Sequence, residues 1–384
     1  MNEIITGLSE LSARRAASLA AEKATGKPLV EYSSTFIPEE LIRAAGANTY
    51  LLCSGGRQEA VDAAMDDMLR CMNPLALATA GSIKLGRDEV TPHADLLVTA
   101  VTDCHIGRMS ELLEYRGVNT FKVGVPSDWR KPIAFEYYVR ALRRMMEAVE
   151  GITGKAVDEE LAREGFAQSN RINACFRRIN KLRCRPDTPI TFCDYMRLQH
   201  MSFMLGDAQL AADRLEEICS MLEDAPGAYC AGSPRLLLVG RAIAVGDYPL
   251  IELLDKCGAA VVAEMLDDCI RVTEKDVELE GDLLLNFARN RYLERTPVDS
   301  FQPSWHMRFR RMKELIEEYA IDGVVWYQLA NDEIYDMEYT CVENWLRELG
   351  MPLMRLETSY SYTRETLGQA VAQIESFVER LCRD

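Results

Sequence analysis

The amino-acid sequence predicts an α/β fold made of two doubly wound parallel-sheet domains joined by a helical segment. One observation is the run Leu-Leu-Val-Thr-Ala-Val at 96–101, because a continuous apolar stretch with β-branched residues is typical of a parallel strand covered on both faces. Another is the alternation of strand-like and helix-like segments, which implies a parallel sheet with right-handed crossovers. The third is a long middle stretch of amphipathic helices with few strand signals. We therefore predict a first α/β domain with its N-terminal helix at 1–132, a helical segment at 133–230 and a second α/β domain at 231–384.

The first domain opens with two predicted helices. Ala and Leu recur at helical spacing over 3–25, and the segment FIPEELIRAAGA (36–47) has Pro38 in its first turn and Gly46 at its end. The remainder of this domain is predicted, in order, as a strand at 48–53, a helix at 62–72, a strand at 96–101, a helix from 110 and a strand at 119–126.

The helical segment and the second domain are predicted from the same patterns. Amphipathic helices are expected at 134–154, 158–183 and 211–224. The second domain is predicted, in order, as a strand at 234–243, a helix at 248–258, a strand at 259–266, a helix-rich stretch, a strand at 323–329, a helix at 341–350, a strand at 352–358 and a helix at 367–381.

The charge balance argues against nucleic acid or an anionic membrane surface as the main partner. The formal net charge is −16, and so acidic a chain repels both nucleic acid and an anionic membrane surface. Basic residues nevertheless cluster at 177–185 and 308–313. Two interpretations of these clusters stay open: solvated helix faces, or a local basic pocket for a phosphorylated ligand.

Cysteine usage and hydropathy favour a cytoplasmic protein. No run of about 18 apolar residues predicts a membrane span, and the N-terminus lacks the basic-then-apolar order of a signal peptide. The chain has 12 cysteines but no Cys-x-x-Cys pair, which argues against zinc-ribbon and thioredoxin-type sites. In the cytoplasm these thiols are expected to stay reduced.

Polar residues follow the ends of three predicted strands. They are Asp103–Cys104–His105, Asp267–Asp268–Cys269 and Asn331–Asp332–Glu333. Open parallel sheets of the Rossmann or flavodoxin type bind ligands in a crevice at the carboxyl ends of their strands. We therefore expect a functional crevice at this edge.

Several of these residues have both a chemical and a structural interpretation. His105 is suited to donate to a substrate carbonyl or to bind a metal, or to cap the following helix as a partly exposed imidazole. Asp332 and Glu333 are candidates for a general acid–base pair, because adjacent carboxyls can have one pKa raised; alternatively they are solvated loop acids. Cys269 is either a metal ligand or a packed thiol.

A second candidate binding element precedes the helix at 36–47. Ser33, Ser34 and Thr35 lie just before it, where hydroxyl side chains commonly cap a helix. The same helix N-terminus is also suited to bind a thioester or phosphate oxygen. We retain these three residues as candidate substrate-binding residues.

Several blocks, in order along the chain, resemble a known family. They are FIPEELIRAAGA (36–47), ADLLVTAVTDCHIGRMSELLEY (94–115), RLLLVGRAI with GAAVVAEMLDDCIR, and IDGVVWYQLANDEIYDMEY followed by LGMPLMRLETSY and LGQAVAQIESFVERL. Together they resemble the smaller, beta-type subunit of the 2-hydroxyacyl-CoA dehydratases, relatives of benzoyl-CoA reductase. The resemblance extends from about residue 36 to the C-terminus.

The resemblance implies a particular chemistry. Two related subunits form a heterodimer, here with a larger dehydratase subunit as partner, and 4Fe–4S clusters are each held by three cysteines. A separate ATP-dependent iron–sulfur activator protein supplies one electron. An acyl-CoA thioester is thereby converted to a ketyl radical that loses its 2-hydroxyl group.

The ligand positions depart from the family pattern. Cys104 corresponds to the middle ligand, whereas the third ligand position falls on Asp332 and the first on Ala78. Cys71, which lies nearby in sequence, is the alternative for the first position. We therefore name Cys104 and Cys71 as candidate metal ligands and expect the cluster mainly on the partner subunit. A non-catalytic assembly paralogue and a homodimeric iron–sulfur reductase of the same family remain the alternatives.

Overall fold

In a computed structural model of the chain, residues 2–267 and 270–382 are described, with side chains described from residue 5 onward. The strands are β1 (Leu29–Tyr32), β2 (Asn48–Leu51), β3 (Leu96–Val101), β4 (Thr120–Gly124), β5 (Arg235–Gly240), β6 (Ala260–Leu266), β7 (Gly323–Leu329) and β8 (Leu353–Thr358). The helices are α1 (Asn2–Ala24), α2 (Glu39–Ala44), α3 (Gln58–Ala64), α4 (Pro74–Lys84), α5 (Cys104–Tyr115), α6 (Pro132–Thr153), α7 (Glu159–Arg183), α8 (Phe192–Met204), α9 (Ala208–Glu223), α10 (Pro249–Lys256), α11 (Leu283–Tyr292), α12 (Trp305–Glu318), α13 (Glu333–Glu348) and α14 (Arg364–Leu381).

The strands form two four-stranded, all-parallel sheets. Their strand orders are β2-β1-β3-β4 and β6-β5-β7-β8. The central strands β3 and β7 are buried almost throughout, as expected for parallel strands with helices on both faces. The predicted α/β class with two doubly wound units is therefore confirmed. The domain boundaries at 132 and 230 stay predictions.

Each sheet has a switch point, where the strand order reverses between its two central strands. The reversal lies between β1 and β3 in the first sheet and between β5 and β7 in the second. Connections leave a switch point in opposite directions, which opens a crevice at the carboxyl ends of the two strands. The segments that follow β1, β3, β5 and β7 therefore line the two crevices.

The loops that follow β2 and β5 join the two sheets at this edge. Ser54 and Val245 form an isolated parallel bridge, and the Val245 N–H donates to the Cys53 carbonyl at 2.8 Å. A Cβ on Gly56, whose φ is +74°, would lie 2.4 Å from the Gly246 carbonyl oxygen. The close approach of these two loops requires glycine at position 56.

Some predicted elements differ from those observed. The helix predicted at 62–72 is wrong, since α3 ends at Ala64 and the chain forms turns up to Asn73. The next helix instead begins at Pro74, whose fixed φ and missing N–H suit a first helical turn. Helix α5 begins at Cys104 rather than at 110. Strand β1 and helices α4 and α8 were not predicted.

The middle of the chain contains α6 to α9, in agreement with the predicted helical segment. Within the described residues, no helix has both the length and the apolar character needed to cross a membrane. The eleven described cysteines are free thiols.

Candidate active site between the two sheets

The centre of the crevice is a buried ion triad built around Arg241. This residue follows β5, and its guanidinium donates through Nη1 to Asp332 Oδ2 at 2.8 Å and through Nη2 to Asp103 Oδ2. None of the three side chains is more than 4% exposed. Asp103 follows β3 and Asp332 follows β7, so the triad connects the switch points of both sheets. Removing the cation from such a site leaves two buried carboxylates without compensation, which is strongly unfavourable.

Asn73 ties the first domain to the end of β7. Its Oδ1 accepts from the Leu75 N–H and thereby caps α4, while its Nδ2 donates to Asp332 Oδ2 at 3.1 Å. Asn331, in the left-handed region with φ +60°, lies beside it and donates to the Met72 carbonyl at 3.5 Å. The segment before α4 is therefore in direct contact with the start of α13.

His105 and Glu333 form a second pair at the crevice. Their Nε2 and Oε2 atoms are 3.3 Å apart, and the Asn73 N–H faces His105 Nδ1 at 3.4 Å. Because Nδ1 faces a donor, the hydrogen bonds assign the proton to Nε2, which donates to Glu333. The His105 side chain is 10% exposed and that of Glu333 is 68% exposed. The interpretation of His105 as a partly exposed cap is wrong, since Asp103 caps α5 and His105 is buried.

Ser33, Ser34 and Thr35 occupy the other side of the first crevice. Ser33 Oγ accepts from the Ala100 N–H at 3.1 Å, and Ser34 Oγ accepts from the Phe36 N–H at 3.3 Å. Thr35 Oγ1 accepts from Arg295 at 3.4 Å. Their interpretation as a helix cap is wrong, because the N-cap of α2 is Pro38 and no side chain caps it.

The link between these hydroxyls and the ion triad runs through α5. A small cavity of about 20 Å³ lies between Ser33 and the α5 residues Ile106 and Met109. Asp103, Cys104 and His105 begin the same helix. The structure therefore brings Asp103, His105, Asp332 and Glu333 together, with 33–35 across α5 from them.

Comparison with known proteins identifies the family. The model of a family described as “2-hydroxyglutaryl-CoA dehydratase, D-component” matches residues 34–381. The chain belongs to this dehydratase family. It is also 24% identical over 363 residues to the Escherichia coli (strain K12) protein named “Putative dehydratase subunit YjiM”, with 94% of this chain and 93% of that protein covered. The family expected from the sequence is thus confirmed.

Among the described residues of this dehydratase-family chain, the donor set does not fit an iron–sulfur cluster held by three thiolates. Cys104 begins α5 and Cys71 precedes Asn73 by two residues, and both thiols are exposed. Ala78 is buried within α4 and has no ligating atom. The Asp332 carboxylate is already bound by Arg241 and Asn73. In the part of the chain that is described, no group of three or more His, Cys, Asp or Glu side chains is arranged to hold a metal ion.

A second buried network follows β6. Arg308 donates to Asp267 and to Glu338, each at 2.6 Å, and the Tyr335 hydroxyl donates to Asp267 at 2.7 Å. Asp268 and Cys269, which the sequence grouped with Asp267, lie outside the described residues.

Asp299 lies between this network and the ion triad. Burial raises its pKa to about 8; Arg241 opposes that rise, and the charges of Asp267 and Asp332 add to it. Burial therefore favours the protonated form of Asp299 in the folded chain. Its Oδ2 atom is buried without a hydrogen-bond partner.

Two residues of the site were not recognised from the sequence. Arg241 lies inside the strand predicted at 234–243, and only the observed end of β5 at Gly240 places it at the sheet edge where ligands bind. Asn73 directly precedes Pro74, and an Asn-Pro pair before an apolar run is a helix-start signal. Neither signal indicates that the two side chains meet at Asp332.

Proposed function

We propose that this chain is one subunit of a 2-hydroxyacyl-CoA dehydratase-type complex, in which a larger partner subunit holds the 4Fe–4S cluster. The proposal rests on the two hydrogen bonds that the Asp332 carboxylate accepts, from Arg241 at 2.8 Å and from Asn73 at 3.1 Å. In this chain of a dehydratase family, Asp332 is therefore a charged residue in the wall of the crevice. It is not an iron ligand.

The proposed role of this chain is to complete the crevice and to move a proton there. Glu333 is the exposed carboxylate at its rim, and His105 holds that carboxylate through Nε2. A carboxylate in this position is suited to accept or return a substrate proton during loss of water from an acyl-CoA. His105 and Asp332 then act as positioning residues, and Ser33, Ser34 and Thr35 bind the thioester end of the substrate. Cys104 and Cys71, both exposed, lie beside the rim.

The remaining partners follow from the same proposal. The electron chemistry belongs to the larger subunit and to an ATP-dependent iron–sulfur activator protein. The complex works in the cytoplasm, where free cysteines stay reduced.

Metal analysis of anaerobically purified protein tests this proposal. We expect close to zero iron and sulfide in the isolated chain and about four irons in the complex co-purified with its partner. Mass spectrometry of the co-purified complex identifies the partner and its cysteines. A Cys104→Ala variant serves as the control, and we expect its complex to retain its iron.

Each alternative gives a different result. Several irons on the isolated chain, lost in Cys104→Ala, would contradict the proposal and favour a homodimeric iron–sulfur reductase. A complex that contains no iron and has no dehydratase activity with any 2-hydroxyacyl-CoA would favour the assembly paralogue.

A further inference from the structure

A separate cavity lies on the outer side of the second sheet, beside the edge strand β6. It has a volume of about 250 Å³ and is bounded by α7, α8, β6, α12 and the segment 270–274. Drug-sized ligands occupy clefts of roughly 300–1,000 Å³, so this cavity suits a smaller molecule. None of the described residues that line it belongs to the crevice or to 33–35. Much of its wall is apolar, including Met265, Leu266, Ile270, Val272 and Leu315.

Three side chains that can donate hydrogen bonds line this cavity, and one of them, Arg271, is buried without a complete set of partners. Arg271 is only 8% exposed, and its Nη2 donates to Glu274 at 3.3 Å while Nη1 has no partner. Gln199 is 2% exposed and its side chain also lines the cavity. Lys181 at the outer wall is exposed and makes no ion pair with a described residue. An unpaired buried donor is costly, so the arrangement at Arg271 points to an acceptor that completes its hydrogen bonds.

Two further buried arginines near Arg271 support this argument. Arg291 and Arg295 are each 5% exposed and also carry guanidinium nitrogens without partners. Burial lowers the pKa of Arg295 well below its usual range, and the positive charges of Arg271 and Arg291 lower it further. The carboxylates that act most strongly on this cluster are Glu40 and Glu274. Arg291 and Arg295 do not line the cavity, but their unpartnered nitrogens show that hydrogen-bond acceptors are scarce around Arg271.

We propose that this cavity binds a small organic monocarboxylate, with its carboxylate on Arg271 and Gln199 and its hydrocarbon body against Val272 and Leu315. The acidic wall residues favour a singly charged ligand over a phosphate dianion. Glu264, Glu274 and Glu318 line the cavity. Glu264 is bound by Arg183 and the Tyr195 hydroxyl, and Glu274 is bound by Arg271 and the Thr296 hydroxyl. The proposed site does not depend on the dehydratase chemistry of the crevice.

Calorimetric titration of the full chain with hexanoate tests the proposal, with hexanamide and inorganic phosphate as comparison ligands. We expect hexanoate to bind about tenfold or more tightly than hexanamide, because a charge-assisted hydrogen bond to Arg271 is lost with the amide. Arg271→Gln is expected to remove this preference. Lys181→Gln is expected to weaken hexanoate binding, whereas Arg178→Gln is the matched control on α7. Arg178 pairs with Glu223 and does not line the cavity, so hexanoate binding should be unchanged.

A second variant keeps the test decisive if Arg271→Gln fails to fold. Val272→Phe fills the cavity without changing its charge, and we expect it to abolish hexanoate binding while the thermal unfolding midpoint stays close to that of the unaltered chain. Equal affinity for hexanoate and hexanamide would overturn the proposal. It would also be overturned by phosphate binding without hexanoate binding, or by hexanoate binding that survives Val272→Phe.

Discussion

Glu333 and His105 differ strongly in solvent exposure, although their side chains are in contact. Glu333 is 68% exposed and His105 is 10% exposed. A carboxylate at the rim can reach a substrate, whereas the imidazole has both of its nitrogens engaged, with Asn73 on one side and Glu333 on the other. The exposed member of the pair is therefore the one suited to exchange a proton.

At the residue scale we expect Glu333→Gln to lower kcat of the assembled dehydratase by about 10²–10⁴, the usual contribution of a general acid–base group. KM should change little, because the amide preserves the shape of the side chain and its contact with His105. Steady-state kinetics of the assembled complex measures both parameters. Glu348→Gln, at the exposed far end of α13, is the matched control. An unchanged kcat in Glu333→Gln would remove Glu333 from the mechanism.

At the element scale, the start of α4 serves both the fold and the site. Asn73 caps the helix with Oδ1 and donates to Asp332 with Nδ2. An aspartate would cap the helix equally well, but it would place a second carboxylate against Asp332. The two functions of this residue can therefore be separated by substitution.

We expect Asn73→Asp to destabilise the chain at neutral pH more than Asn73→Ser does. Both variants keep a capping oxygen, and only the aspartate adds a buried like charge, which costs a few kcal/mol. Urea unfolding at pH 7 compares the two variants with the unaltered chain. The difference in unfolding free energy between the two variants should decrease at acid pH, where the new carboxyl becomes protonated. Equal stability of the two variants would show that a carboxylate at position 73 does not repel Asp332.

The elements whose bounds were predicted best are the strands that are buried along their whole length. Strands β3 and β7 have the predicted bounds, since a strand buried on both faces requires consecutive apolar residues. Strand β1 was not predicted because Glu31 interrupts its apolar run. The buried carboxyl of Glu31 accepts through Oε2 from the hydroxyl of Thr91, which is distant in sequence, at 2.7 Å. Helix α4 is rich in Ala, Gly and Thr, which gives a weak helical pattern.

The site was predicted only in part, for a related reason. The rule that ligands bind at the carboxyl ends of strands selected Asp103, His105, Asp332 and Glu333. Their partners Asn73 and Arg241 can be identified only from the three-dimensional arrangement of the two sheets. Their contacts with Asp332 join residues separated by 259 and 91 positions in the chain, and no local pattern encodes such pairings.

At the scale of the whole molecule, Arg241 and the bridged loops hold the two sheets in one arrangement. The loops meet at Ser54 and Val245 through backbone hydrogen bonds. Arg241 extends from the second sheet to Asp103 of the first. A rigid connection at the crevice keeps Glu333, on the second sheet's α13, at a fixed position relative to α5 of the first.

We expect Arg241→Met to cost about 3–5 kcal/mol in the free energy of unfolding, because it leaves Asp103 and Asp332 as uncompensated buried carboxylates. Adding Asp103→Asn and Asp332→Asn to the same chain should restore most of that loss, since the buried charges are then removed together. Urea unfolding of the single and triple variants measures the difference. Arg178→Gln, which affects only an exposed pair with Glu223, should change stability by less than about 1 kcal/mol. If the triple variant were no more stable than Arg241→Met alone, the cost would arise from lost packing around the arginine side chain, and the ion triad would not be what holds the two sheets together.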